Sequence, residues 1–160
     1  MDGFRHSLHD AGRDALTGLA GQDFARQRLA QWLGEGPVHA LLLTLARLDA
    51  INIAYGSSVG DGVLAEAAAR ILHLAGDELD SPWFAARLAG GSFMIAARES
   101  CSRERWALFA QALAEIVARP MSGASGEIRL SPRIAMLRAL SGETAESVLD
   151  RLGQAQAIAP

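Results

Sequence analysis

Val38-His39-Ala40-Leu41-Leu42-Leu43-Thr44-Leu45 is the stretch on which the fold turns. It is a continuous apolar run, bounded by Gly34-Glu35-Gly36-Pro37 on one side and by Arg47 on the other. Such a run suits a strand buried on both faces, with a buried helical segment as the alternative because of its leucines. Read as the first core strand, it organises its neighbours. Before it, Asp23 to Leu33 places Phe24, Leu29, Trp32 and Leu33 near helical spacing and stops at the Gly/Pro turn. After it, Asp49 to Tyr55 reads as a short helix ended by Gly56. Asp61 to Leu74 reads as a longer one with Val63, Leu64, Ala67, Ala68, Ile71 and Leu72 on its inner face.

Farther out, Trp83 to Leu88 and Phe93 to Ala97 are short apolar segments separated by Ala89-Gly90-Gly91-Ser92. Paired glycines supply the positive φ of tight hairpin turns, so this is a predicted β-hairpin with its tip at Gly90-Gly91. Arg103 to Ala118 repeats Trp106, Phe109, Ala110, Leu113, Ile116 and Val117 at helical spacing. Glu127 to Leu130 and Arg133 to Leu140 read as strands around Pro132, and Thr144 to Gln156 as a last helix capped by Thr144. At the other end, Phe4 to Arg13 is polar and mildly amphipathic. It is predicted to be a linker helix from an upstream region (residues 1–13), leaving 14–160 as the domain.

The chain has 160 residues, half of them apolar, which fits one α/β or α+β domain with a substantial core. Net charge is −3 with both signs interspersed, so no basic stripe exists to bind a nucleic-acid backbone. Every cationic side chain is arginine, and no lysine is available as a phosphate ligand. Cys101 is the only cysteine, which excludes an internal disulfide and fits a reducing compartment. No apolar run approaches the roughly 20 residues that span a bilayer. The expectation is a cytoplasmic domain without membrane contact. His6, His9, His39 and His73 lack metal-ligand spacing, and Ser92, Ser100 and Ser131 have no adjacent base, so none is assigned a role. Trp83 and Trp106 read as core.

Asp14-Ala15-Leu16-Thr17-Gly18-Leu19, then a helix, a hydrophobic strand, Ile51-Asn52, Tyr55-Gly56, Gly60-Asp61 and a Gly-Gly hairpin preceded by Arg87 occur in one order. Together they resemble the GGDEF family, the diguanylate cyclases that condense two GTP molecules into cyclic di-GMP. The resemblance runs from Asp14 to about Leu152. It implies an α+β, nucleotidyl-cyclase-like fold, a five-stranded, mostly antiparallel central sheet flanked by helices. It also implies chemistry with two magnesium ions, hard cations that take carboxylate oxygens from the first strand and the hairpin.

Aligned on Tyr55-Gly56 and Gly60-Asp61, the strand aspartate of the family falls at Thr44, and a second acid two residues later at Ala46. Aligned on Arg87, the signature falls at Ala89, Gly90, Gly91, Ser92 and Phe93, with Gly91 at the metal-binding acid and Ser92 at its acidic neighbour. A register shifted by one residue puts Ser92 and Phe93 at the acidic positions. Neither register retains a carboxylate, so the expected catalytic set is none, and the metal site is lost at Thr44 and Gly91. The family's Phe-Lys beside the phosphates becomes Leu48-Asp49, a reversal of charge. Residues from Gln154 to Ile158 offer no cation. The Arg-x-x-Asp of the family's inhibitory product site is replaced by Asp80-Ser81-Pro82-Trp83, which lacks both partners.

Asn52 and Asp61 do match the family's guanine-reading pair: a carboxylate accepts from the base's N–H donors and an amide complements the remaining acceptor. The alternative is that Asn52 caps local backbone and Asp61 caps the long helix after Gly60. The resemblance therefore implies a catalytically inactive regulatory domain of cyclic di-GMP signalling. It expects a weak guanine nucleotide as ligand and no cofactor, with Mg2+ required only if residual activity exists. The partners it implies are an upstream sensor and a downstream EAL phosphodiesterase domain in the same polypeptide, and a homodimer. A residually active cyclase and a purely structural dimerisation module are the competing readings.

Overall fold

The computed structural model describes residues 13–98, 101–123 and 126–158. The predicted linker helix lies outside these residues except for Arg13, which makes an isolated antiparallel bridge with Ala20. The elements follow in the order α1 (Gln22–Glu35), β1 (Val38–Ala46), α2 (Leu48–Tyr55), α3 (Ser57–Glu78), β2 (Trp83–Arg87), β3 (Ser92–Arg98) and α4 (Arg103–Val117). They continue with β4 (Met121–Gly123), β5 (Gly126–Ile128), β6 (Ser131–Ala139) and α5 (Ala145–Ile158). Among the described residues no helix is long and apolar enough to cross a membrane.

The sheet has the order β2-β3-β1-β6, with every neighbouring pair antiparallel. The resemblance implies five strands. Here four full strands form the sheet, and the edge beyond β2 carries a single parallel bridge from Ala20 to Ala86. Among the described residues β4 and β5 pair only with each other, as a separate ribbon. The architecture is α+β all the same, with helices covering both faces.

β1 alternates its side chains between two cores, as the period of two requires. Leu41, Leu43 and Leu45 join Phe93 and Ile95 under Ile51 of α2, Val63, Leu64, Ala67, Ala68 and Ile71 of α3, and Trp106, Phe109 and Leu113 of α4. Val38, Ala40 and Leu42 join Met94, Ala96 and Phe84 under Leu29, Trp32 and Leu33 of α1 and Val148 and Leu152 of α5. Burial on both faces is why its sequence is a continuous apolar run and not an alternating one. Pro132, expected to interrupt two strands, lies inside β6. As an edge strand, β6 can accommodate a residue without an N–H.

Two helix boundaries differ from expectation. α1 continues through Gly34, and α3 begins at Ser57, four residues before Asp61, so that Gly60 and Asp61 lie within the helix. On α3 the inward residue of the last turns is Leu74, whereas Leu72 is 38% exposed. The expected cap on α5 is present: Thr144 Oγ1 accepts the Ser147 N–H at 3.1 Å.

Candidate functional site

Thr44, Gly91 and Ser92 come together at the C-terminal end of β1, where the β2–β3 hairpin turns back beside it. Thr44 pairs with Ser92 across β1 and β3 and with Arg133 across β1 and β6. The Leu45 N–H donates to the Gly91 carbonyl at 2.9 Å, which fastens the hairpin tip to β1. Of the two glycines only Gly90, at φ 67°, needs the left-handed region. Gly91 serves a different purpose. A Cβ there would come within 3.0 Å of Leu48 Cδ2 and 3.5 Å of Leu45 Cβ, so the bare backbone lets the tip pack onto α2. Leaving β1, the chain turns through Arg47 at φ 69°, the only non-glycine residue with positive φ among those described.

It is Ser92, not Gly91, whose side chain faces Thr44. Their hydroxyl oxygens are 3.0 Å apart, and Thr44 Oγ1 donates to Gln156 Oε1 of α5 at 2.6 Å. Gln156 Nε2 in turn donates to the carbonyls of Leu42 at 3.1 Å and Arg133 at 2.9 Å. Sequence reasoning weighed this part of α5 only for the cations it lacks and missed Gln156, because no local pattern signals that a glutamine reaches a strand more than a hundred residues earlier. Ala46 contributes no acid either. Among the described residues no three of His, Cys, Asp and Glu come together as a metal-holding group.

The hairpin is braced from its other side. Arg87 Nη1 reaches both carboxylate oxygens of Asp14 at 3.1 and 3.2 Å, and its Nε and Nη2 donate to the Gly90 carbonyl at 3.4 and 3.3 Å. Asp14 also accepts from the Thr17 N–H at 2.9 Å and the Thr17 hydroxyl at 2.7 Å. Burial by itself would raise the Asp14 pKa; the bonds from Thr17 and the Arg87 guanidinium outweigh it and hold the carboxyl below its ordinary 3.8. The Asp14-to-Leu19 motif is thus a turn that clamps the hairpin tip. Its floor, with Arg13, Gln22, Phe24, Leu88 and Ala89, borders an open cleft of about 500 Å³.

Asn52 and Asp61 sit at the junction of α2 and α3. The Asn52 side chain lies against the Cα of Gly60: a Cβ built there would be 1.7 Å from Asn52 Oδ1. Neither helix-cap alternative survives. α2 ends on the Gly56 N–H bonded to the Asn52 main-chain carbonyl, and α3 has no side-chain cap, with Asp61 exposed in its second turn. Asp49 is exposed in the first turn of α2, as expected for an acid at a helix N-terminus.

Around the segment from Asp80 to Trp83, Asp80 pairs with Arg105 at 3.5 Å while Arg105 donates to the Glu78 carbonyl at 2.7 Å. Trp83 is half-buried against the core. His39 is buried, its Nε2 2.8 Å from the Cys101 carbonyl and its ring stacked on Trp106, so it is a satisfied core histidine. Burial pushes the Cys101 thiol above its ordinary pKa.

The chain matches the model of the family described as diguanylate cyclase, GGDEF domain, over residues 11–159. No curated protein sequence matches it. Among solved structures it is similar to the coiled coil and GGDEF domain of DgcB from Caulobacter crescentus, in complex with c-di-GMP. The TM-score is 0.84 at 22% identity, covering 98% of this chain and 84% of that one. It also resembles the diguanylate cyclase SiaD of Pseudomonas aeruginosa, solved with its activator SiaC, at TM-score 0.82 and 21% identity, over 98% of this chain and 61% of that one. The FimX GGDEF domain of Pseudomonas aeruginosa follows at 0.75 and 17%, over 91% of each chain. At these identities the likeness is one of fold.

Proposed function

This chain belongs to the GGDEF family, and from that premise we propose that it is a catalytically inactive regulatory domain that binds a guanine nucleotide weakly and without metal. The observation that carries the reading is the neutral network at the end of β1. Where the family's metal-binding acids fall, Thr44 and Ser92 bond to each other and Thr44 to Gln156, and Gly91 has no side chain. Hard dications take several oxygens and favour anionic ones. The oxygens here are uncharged and already engaged, so the residues present do not fit magnesium, and no catalytic step is routed through it.

What remains is the base-reading pair. Among the described residues the Asn52 amide caps no helix end, and Asp61 is an exposed carboxylate one residue beyond the glycine against which that amide rests. Binding that relies on hydrogen bonds to one base, at about 1.5–3 kcal/mol apiece when charge-assisted, is weak. Asp49 adds a negative charge on the phosphate side, so GTP gains little over GDP. In this reading the domain carries a signal between a sensor upstream and an EAL domain or another effector downstream.

Calorimetric titration with GTP, GDP and ATP, each with magnesium and with chelator, tests it. The expected result is a guanine preference that is indifferent to magnesium and lost in Asp61→Ala. Strong magnesium dependence refutes the metal-free site. No binding of any nucleotide at millimolar concentration removes the sensor role and leaves a structural module.

A further inference from the structure

We propose that Gln156 is a selectivity residue: its amide, fixed by the carbonyls of Leu42 and Arg133, accepts only a hydrogen-bond donor at position 44 and so excludes the carboxylate that a divalent-cation site needs. This goes a step beyond the metal-free reading above and rests on it for its functional meaning. Its test contains neither nucleotide nor metal, so the two can fail separately.

The direction of every bond in the network follows from counting protons. Gln156 Nε2 has two, given to Leu42 O and Arg133 O at 3.1 and 2.9 Å, which leaves Oε1 as the atom presented to Thr44. The Thr44 hydroxyl has one, given to Oε1 at 2.6 Å. Ser92 must then be the donor in its 3.0 Å contact with Thr44. The chain runs one way, from Ser92 through Thr44 to Gln156 and into two backbone carbonyls.

An ionised carboxylate at position 44 is acceptor-only and meets Oε1, acceptor against acceptor. Flipping the amide turns Nε2 toward the carboxylate but only moves the conflict, because Oε1 then faces the carbonyl oxygens of Leu42 and Arg133, which both lose their donor. The charged residue paired with Thr44 across the strands is Arg133 on β6. It is exposed, so water and salt screen the compensation it offers. A carboxamide, by contrast, supplies the donor without the charge. Restoring an acid to β1 therefore fails while Gln156 is in place, independently of whether the hairpin acid is also restored.

The experiment is a urea-unfolding cycle on the whole 160-residue chain at neutral pH. It compares the starting chain, Thr44→Asp and Thr44→Asn, each with and without Gln156→Leu. Expected is a rise of about 30-fold or more in the unfolding constant for Thr44→Asp when Gln156 is present, and of about threefold or less when it is leucine. Thr44→Asn in the Gln156 background is expected to stay within about threefold. Should Thr44→Asp not fold, recovery of folding by the added Gln156→Leu supports the proposal, and failure of that double variant overturns it. Equal costs of Thr44→Asp in the two backgrounds, or a carboxamide as costly as the carboxylate, also overturn it.

Discussion

Replacing Gly60 by alanine separates stability from base recognition. Gly60 is buried in the first turns of α3, and the Cβ of an alanine would fall 1.7 Å from Asn52 Oδ1 and 2.8 Å from its Cγ. Helix propensity favours alanine over glycine by about 0.8–1.0 kcal/mol. Against that, Asn52 must rotate out of its place, and holding a side chain off its preferred rotamer costs about 0.5–1.5 kcal/mol. Only the end of a short side chain has to move, because no backbone atom lies within 4 Å among the nearest contacts of that Cβ. The two terms nearly cancel, so Gly60→Ala should unfold within about 1 kcal/mol of the starting chain.

Base recognition should not cancel in the same way. Displacing Asn52 removes a neutral hydrogen bond of about 0.5–1.5 kcal/mol, which weakens guanine nucleotide binding by about 2- to 12-fold. Urea unfolding and nucleotide titration of the same protein measure both quantities, and the Asn52 side-chain amide resonance reports the displacement directly. A destabilisation above about 3 kcal/mol would show that Asn52 cannot move and has a structural role. Unchanged affinity with a displaced Asn52 would show that it does not read the base.

The purified chain should produce no cyclic di-GMP from GTP with magnesium or manganese; chromatography detecting turnover on the order of 0.1–1 per second, the low end for enzymes, would refute the inactive assignment. Calorimetry should find no tight cyclic di-GMP binding through the Asp80-to-Trp83 segment, where Asp80 and Arg105 already engage each other; micromolar binding abolished by mutating that segment contradicts this. Asp14→Asn should cost about 1–3 kcal/mol at neutral pH, because it leaves the Arg87 and Thr17 bonds without their anion. Since the Asp14 carboxyl is held below 3.8, its contribution is complete above that value and is lost as pH falls through the lowered one. Unfolding curves of the two proteins should therefore converge in acid, and a gap that is independent of pH would refute the assignment.

Much of the architecture was legible along the chain because its signals are local. The run from Val38 to Leu45, the glycine hairpin, the helical repeat from Arg103 and the cap at Thr144 each concern residues within a few positions of one another, and each appears as read. The start of α3 was misplaced for an equally physical reason. Gly60 looks like a helix breaker in sequence, but it lies inside the first turns of α3, where Asn52 of the preceding helix occupies the space a side chain would need. β4 carries too few apolar residues to register as a strand, and β5 ends two residues short of expectation.

The candidate site divides along the same line. The residue types at positions 44, 91 and 92, none of them a carboxylate, were a matter of sequence alone. What holds them together was decided by tertiary structure: register sets Ser92 beside Thr44, and α5 folds back over the sheet to bring Gln156 to Thr44. Asp14 and Arg87 were each singled out in the sequence, but their ion pair was not, because it joins residues 73 positions apart. Composition and periodicity record which side chains a segment has and which face it buries. Which oxygen meets which proton across the fold depends on packing between elements, and only the folded chain determines that.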